Sequence, residues 1–328
     1  MNAANTGRPD APPALAVVLV TWNVRELALD ALATLFADLA AQGPRDCQVW
    51  LVDNASSDGT APAVAQRFPQ VQLVASEHNH GFAGGNNLAL RRMGFGQAEH
   101  DRLPRAVYLL NPDTRTQPGA TRKLHEALLA APATGLVGAR LSYEDGSFQH
   151  SAFQFPGLRQ LWAELFPTPG RLIEGRFNGR YPRACYDAGR PFRVDFPLGA
   201  TMMLRREVIE QTGMFDERYA LYCEEIDWAW RIRKAGWQVL CVPAARVTHL
   251  AGRSSSQARP DSLVKLWRSR LRLYAQHHPP WRVWLARRLI ALGMQRQIRQ
   301  LRATGQDAAL VAACETVLHD LRSFGGLT

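Results

Sequence analysis

Carboxylates, amides and glycines recur in this sequence where short apolar runs end. Thr21, Trp22 and Asn23 close the run Leu15–Thr21, and Asp53-Asn54-Ala55-Ser56-Ser57-Asp58-Gly59-Thr60 follows Val49–Val52. Asn79-His80-Gly81-Phe82-Ala83-Gly84-Gly85-Asn86-Asn87 comes after a third run, and Asn111-Pro112-Asp113 after a fourth. A carboxylate accepts hydrogen bonds from the ring N–H of a base. Glycines let backbone approach a ligand, and free N–H groups at a helix start favour negative charge. Further along lie Glu224-Glu225-Ile226-Asp227 and Thr248-His249. Acids in a first helical turn also interact well with the helix dipole. Asp227 and Arg231, four apart, read as a structural ion pair. Ser57 and Asp58 have two readings, capping of the next helix and ligand contact.

Those groups need elements to hold them at one place. Leu15–Thr21, Val49–Val52, Val71–Ala75 and Ala106–Leu110 are short apolar runs. Segments with helical spacing, 26–41, 61–68, 83–93 and 119–130, alternate with them. This rhythm predicts an α/β fold with a parallel sheet covered on both faces. In open α/β sheets, ligands bind beyond the carboxyl ends of the strands. Four consecutive polar strand ends therefore predict a nucleotide site. Residues 142–195, rich in Pro, Gly, Arg and aromatics, read as an irregular insertion or a partner-binding region, in which His150, Phe153, Phe155 and Trp162 could help shape a ligand site. Order resumes with an apolar run at 198–205, a helix from about 224 to 235 and a strand at 238–242. Trp22, Trp228 and Trp230 read as core or wall residues.

Several classes are excluded. No G-x-G-x-x-G follows the first strand, and no G-x-x-x-x-G-K-[ST] occurs. Five cysteines without a C-x-x-C pair argue against a disulfide scaffold or a cysteine zinc site and for a reduced, cytoplasmic compartment. No apolar run reaches the roughly 18–20 residues needed to span a bilayer. The net charge of +10 calls for an anionic partner. Much of it lies between Lys265 and Arg302, a stretch with no acidic residue and with Trp267, Trp281 and Trp284 interleaved.

VVLVTWN, VDNASSDGT, NHGFAGGNN, LLNPD, GATMMLRREV, FDERYALYCEEIDWAWR and THLAGRSS, in that order, resemble the family 2 inverting glycosyltransferases of the GT-A fold. The nearest subgroup is the rhamnosyltransferase-like one of bacterial cell-surface polysaccharide synthesis. The resemblance covers roughly residues 14–256. It implies a mostly parallel central sheet flanked by helices; outside it, residues 1–13, rich in Ala, Pro and Asn, read as a flexible tail and residues 257–328 as a helical basic C-terminal extension. It also implies donor contacts from Thr21, Asn23, Asp53, Asn54, Gly81, Phe82, Asn86, Asn87, Asn111, Asp113 and Arg253. Asp113 and His249 are the implied ligands of Mg²⁺ or Mn²⁺. Asn111 stands where the family's metal motif usually carries its first aspartate. Glu225 is the implied base, where the family usually has aspartate, with Glu224 as the alternative.

The expected reaction moves a sugar from a nucleoside-diphosphate donor, with L-rhamnose from dTDP-rhamnose the leading candidate, to a glycan or polyprenyl-diphosphate-linked acceptor. The basic aromatic C-terminus suits an anionic membrane surface, which places the protein in the cytoplasm or peripherally on the inner face of the bacterial cytoplasmic membrane. Nucleic acid is not the expected partner. The competing reading is a nucleic-acid or membrane-surface binding module on a non-catalytic GT-A-like fold. A sugar nucleotidyltransferase is a further rival, but the glycine-rich basic loop it would usually carry after the first strand is missing.

Overall fold

The computed structural model describes residues 12–97, 102–220, 222–250, 259–305 and 307–323. The first half alternates as β1 (Leu15–Thr21), α1 (Arg25–Gln42), β2 (Cys47–Asn54), α2 (Thr60–Arg67), β3 (Gln72–Ser76), α3 (Gly81–Met93) and β4 (Ala106–Leu110). Next come β5 (Thr114–Thr116), α4 (Ala120–Leu129) and β6 (Thr134–Ser142). The middle holds short pieces: β7 (Phe148–Gln149), β8 (Ala152–Phe153), α5 (Leu158–Leu165), α6 (Gly170–Ile173), α7 (Arg183–Asp187), β9 (Phe192–Arg193) and β10 (Phe196–Pro197). Then follow β11 (Thr201–Arg205), α8 (Arg206–Thr212), α9 (Glu224–Lys234) and β12 (Gln238–His249), and finally α10 (Arg259–His277), α11 (Pro280–Ala303) and α12 (Ala308–Ser323).

The main sheet runs β3-β2-β1-β4-β11-β6-β12-β5, with β7 beside β6 and β9 beside β12. Strands β3, β2, β1 and β4 are mutually parallel, and β6 is parallel to β12. β11 lies antiparallel between β4 and β6. The sheet is thus mostly parallel, as expected, with β11 reversed at its centre and the short strands β5, β7 and β9 antiparallel to their neighbours. Alternate residues of β1 feed the two faces. Leu15, Val17 and Leu19 join Leu32 and Leu35 of α1 and Leu124 of α4. Val18 joins Leu90 of α3 and Trp228 and Ile232 of α9 on the other face.

Strand β6 was not legible as a strand. Its sequence, TGLVGARLS, carries two glycines and an arginine. The structure gives the glycines a purpose: a Cβ on Gly138 would lie 2.3 Å from Pro197 Cβ, and one on Gly135 2.7 Å from Val208 Cγ2. Glycine here permits close approach of neighbouring segments, at the cost of the strand signal.

The C-terminal helices are not a free-standing appendage. Trp267, Leu271, Tyr274, Ile290 and Met294 share a core with Leu161 and Leu165 of α5. Leu273 of α10 packs with Tyr219 and Cys223, at the foot of α9. The segment read as irregular therefore supplies the docking surface for the C-terminal bundle.

Candidate active site

The strand pairing brings the chemistry-bearing groups to one edge. Thr21 sits opposite Asp53 in the β1/β2 register. Thr201, which begins β11, sits opposite Leu110, which ends β4. His249 at the end of β12 sits opposite Thr114, immediately after Asp113. The N–H of Asn111 donates to Ala200 O at 3.0 Å, and that of Leu250 to Asp113 O at 2.9 Å. Gly199 beside Ala200 faces Glu225, with a Cβ there 3.6 Å from Glu225 Cβ.

Two marks distinguish this edge. The described non-glycine residues with positive φ are Asn23, Ala55, Tyr222, Cys223 and Asp307. All but Asp307 lie in the strand-end loops or just before α9, and strain of that kind collects at functional sites. Secondly, buried oxygens without a hydrogen-bond partner include Asn54 Oδ1, Asn111 Oδ1, Asp113 Oδ1, Gln149 Oε1 and Glu224 Oε2. Buried acceptors are normally satisfied, so this concentration fits a ligand or cation that supplies what they lack.

The predicted donor residues divide into two groups. Asp53 is buried, and its carboxylate accepts from Thr21 Oγ1 at 3.2 Å, from Ser56 Oγ at 2.5 Å and from the Ser56 N–H at 3.3 Å. Asn23 exchanges bonds with the next loop: its N–H donates to Ser56 Oγ at 2.9 Å, and its Oδ1 accepts the Ser57 N–H at 2.8 Å. Trp22, between Thr21 and Asn23, is exposed. Asn54 Nδ2 donates to Gly81 O at 2.9 Å. These groups form a rigid strand-end platform. Asp58 instead accepts the N–H groups of Arg25 and Thr60, the first residues of α1 and α2, at 2.9 and 3.0 Å, which satisfies two helix-start donors.

The second group faces inward. Asn87 spends its amide on Phe215 N–H, Phe215 O and Glu217 Oε1, at 3.1, 2.9 and 2.8 Å. Asn86 Nδ2 donates to Phe82 O at 2.9 Å, and Phe82 packs edge-on against Phe215 with centroids 5.5 Å apart. Asn86 and Asn87 are buried. Asn87 and Phe82 thus tie α3 to the 213–219 segment, whereas the Asn86 bond stays within α3. Gly85 serves packing too: a Cβ there would lie 2.6 Å from Val20 Cγ1 and 3.0 Å from Asn54 Nδ2. Gly81, at φ 70°, supplies the turn into α3. Arg253 lies outside the described residues.

The acidic helix start behaves as its spacing suggests. Asp227 accepts from Arg231 Nε at 2.8 Å, and its other oxygen bonds His277 Nε2 of α10 at 2.7 Å. It is a structural ion pair and also anchors the C-terminal bundle. His277 stacks on Trp230 with centroids 4.6 Å apart, and nothing in the sequence pattern pointed to that contact. Glu224 is buried, and Glu225 is partly buried. Burial, reinforced by the neighbouring Glu225 charge, holds the Glu224 carboxyl well above its usual range. Burial also raises Glu225, to about 7, against the pull of the backbone N–H groups around it.

Asp113 and His249 are both buried, with Nε2 of His249 3.5 Å from Asp113 Oδ1. Gln149 bonds the far ring nitrogen, Nδ1, at 3.2 Å. Among the described residues no set of three or more His, Cys, Asp or Glu side chains converges as a metal site. A hard divalent ion needs only one or two carboxylates when phosphate oxygens and water complete its shell. Asp113 and His249, with an Asp113 oxygen that accepts no hydrogen bond, fit such a site.

Comparison with known sequences decides the family. Residues 16–213 match the pattern of Glycosyl transferase family 2. The chain belongs to that family. An N-acetylglucosaminyl-diphospho-decaprenol L-rhamnosyltransferase of Mycobacterium tuberculosis is 30% identical over 257 residues, 76% of this chain and 81% of that protein. The O-antigen biosynthesis protein RfbC of Myxococcus xanthus is 26% identical over 76% of this chain but only 18% of its own length. A mannosyltransferase structure from Pyrobaculum calidifontis, in complex with GDP-Man and Mn²⁺, superimposes with a TM-score of 0.52 over 96% of this chain and 86% of that one, at 19% identity. That likeness establishes the GT-A fold. This chain is therefore a glycosyltransferase. The family pattern ends at residue 213, so α9 and its glutamates lie beyond it and rest on the geometry above.

Proposed function

We propose that this glycosyltransferase transfers L-rhamnose from dTDP-rhamnose, with inversion, to a sugar carried on a polyprenyl diphosphate. The observation that carries the reading is the convergence at one sheet edge of Asp53, the Asp113–His249 pair and the Glu224–Glu225 pair. The named activity of the M. tuberculosis relative supplies the sugar and the acceptor class. Asp53, held by Thr21 and Ser56, accepts the N–H of the thymine ring. Thr21, Asn23 and Asn54 hold the platform on which the nucleoside lies. Asn111 bonds the ribose or donor sugar through its unpartnered Oδ1.

Asp113 and His249 would hold Mg²⁺ or Mn²⁺, and the bound ion would supply Lewis-acid stabilisation of charge on the leaving diphosphate. Gln149 orients the His249 ring. With its amide turned so that Oε1 accepts the Nδ1 proton, the Nε2 lone pair faces Asp113, as metal-binding imidazoles require. Glu225 takes the proton of the acceptor hydroxyl as that oxygen attacks the anomeric carbon and the nucleoside diphosphate departs.

The donor is tested by turnover with dTDP-rhamnose, UDP-glucose, UDP-galactose, UDP-N-acetylglucosamine and GDP-mannose, each with Mn²⁺ or chelator and a prenyl-diphosphate-linked N-acetylglucosamine. Release of dTDP that is abolished by chelator is expected from dTDP-rhamnose. Turnover of another donor at the same rate would overturn the sugar assignment.

The acceptor class implies work at a membrane surface. Among the described residues no helix is long and apolar enough to cross a membrane. Helix α11 nevertheless exposes Trp281, Trp284 and Leu292, with Arg282 and Arg288 over the two indoles. A basic face with exposed tryptophans suits peripheral binding to anionic lipid. Deleting the C-terminal helices would also expose the core they share with α5, so point variants are the cleaner test. Trp281→Ser with Trp284→Ser is expected to weaken sedimentation with phosphatidylglycerol vesicles about 10-fold or more, given the apolar area withdrawn. Equal sedimentation of variant and wild type would exclude this face.

A further inference from the structure

A second concavity lies away from the strand-end carboxylates. A cavity of about 490 Å³ opens between residues 154–160, Trp230 of α9 and the start of α11. Phe155 stacks on Trp230 with centroids 4.0 Å apart and forms one wall, and Trp281 stands on another. Three guanidinium groups, Arg159, Arg176 and Arg282, line the space. Among the described residues none of the three is in an ion pair. Asp195, the one carboxylate in the lining, is engaged by Arg233 and by the Phe155 N–H at 2.8 Å. The cavity thus combines an aromatic wall with three uncompensated cations. Guanidinium groups match phosphate oxygens by bidentate geometry, and an anion would relieve their mutual repulsion.

The position suits the reaction. Trp230 lies five residues along α9 from Glu225, about 7.5 Å of helix rise. Phe155 also stacks on Phe196, three residues before Gly199, which faces Glu225. On the outer side, Trp281 and Arg282 lead onto the exposed Trp284–Arg288–Leu292 face of α11.

We propose that this cavity holds the diphosphate of the lipid-linked acceptor, with Arg159, Arg176 and Arg282 on the phosphates and the prenyl chain leaving along α11. The proposal deepens the acceptor class given above and rests on it. In this arrangement the sugar extends from the diphosphate toward Glu225, and the lipid is read by the same face that meets the membrane.

The test uses the full chain and calorimetric titration of farnesyl diphosphate, which carries no sugar, with dTDP and Mn²⁺ present to fill the donor site. Wild type is expected to bind one equivalent. Arg159→Glu with Arg282→Glu should bind about 10–100-fold more weakly, as expected for lost charge-assisted bonds, and Arg176→Gln alone should show part of that loss. Affinity for dTDP is expected to stay unchanged in all of them, which reports an intact fold. Farnesol and inorganic pyrophosphate should each bind far more weakly than farnesyl diphosphate. Equal farnesyl diphosphate affinity in wild type and variants, or no binding by wild type, would overturn the site. Pyrophosphate binding as tight as farnesyl diphosphate would reassign it to a free anion and overturn the lipid assignment. The readout involves no sugar transfer. Failure of transfer to prenyl-linked sugars with farnesyl diphosphate binding intact would therefore count against the acceptor reading alone.

Discussion

Glu225→Gln is expected to lower kcat about 10²- to 10⁴-fold, the usual contribution of a positioned general base, with dTDP affinity unchanged. Glutamine keeps the side-chain length and its contact with Gly199 but cannot accept a proton. Glu224→Gln is expected to cost far less. Burial and the Glu225 charge push the Glu224 carboxyl up and favour its neutral form, for which a neutral amide is the closer stand-in. The two variants, measured side by side in single-turnover experiments, decide which glutamate is the base. Comparable losses in both would defeat the assignment to Glu225.

The pH dependence has a definite sign. Glu225 is lifted from 4.5 to about 7, so activity should rise with pH through the region of 7 and level off above it. Glu225→Gln should remove that limb. Stability runs the other way. The folded state retains a proton that the unfolded chain releases, so this group's contribution is full below about 4.5 and is lost as pH rises through about 7. Wild type should therefore lose part of its urea-unfolding free energy over that window, and Glu225→Gln should flatten the loss. The site gives up stability where it gains a usable base.

The second large effect belongs to Asp113. Asp113→Asn preserves volume but removes the carboxylate, and should lower kcat/KM about 10³-fold at fixed Mn²⁺, equivalent to several kcal/mol of lost transition-state stabilisation. The direct readout is Mn²⁺ affinity with dTDP present, followed by electron paramagnetic resonance. It should weaken by more than the roughly 10–100-fold typical of outer hydrogen-bond partners. His249→Ala should weaken it less, and Gln149→Leu should fall in the outer-partner range. Unchanged Mn²⁺ affinity in Asp113→Asn would place the ion elsewhere.

The sequence by itself determined the elements that generate this edge. The apolar runs of β1, β2, β3 and β4 and the helices between them are legible because the patterns are local, with a continuous apolar run for a parallel strand and helical spacing for its cover. Carboxylates and amides at strand ends follow from the same logic. The Asp227–Arg231 pair was also readable, since four residues on one helix fix the distance between two side chains.

Tertiary structure decided what depends on residues far apart in the chain. Strand β6 is glycine-bearing because Pro197 and Val208 press on it, a fact no window around residues 134–142 contains. Asn86 and Asn87 carry the same amides as Asn54 and Asn111, yet they bond Phe82, Phe215 and Glu217, because helix rotation sets which way an amide points. Gln149, buried beside His249, sits 100 residues from it in sequence. The cavity of Arg159, Arg176 and Arg282 draws on the insertion and on a C-terminal helix that reads as a separate extension. Propensity and periodicity act over one or two turns of chain, whereas a site is a set of distances. Only packing, by burying Leu273 against Cys223 and His277 against Trp230, brings the C-terminal helices to the helix that bears Glu225.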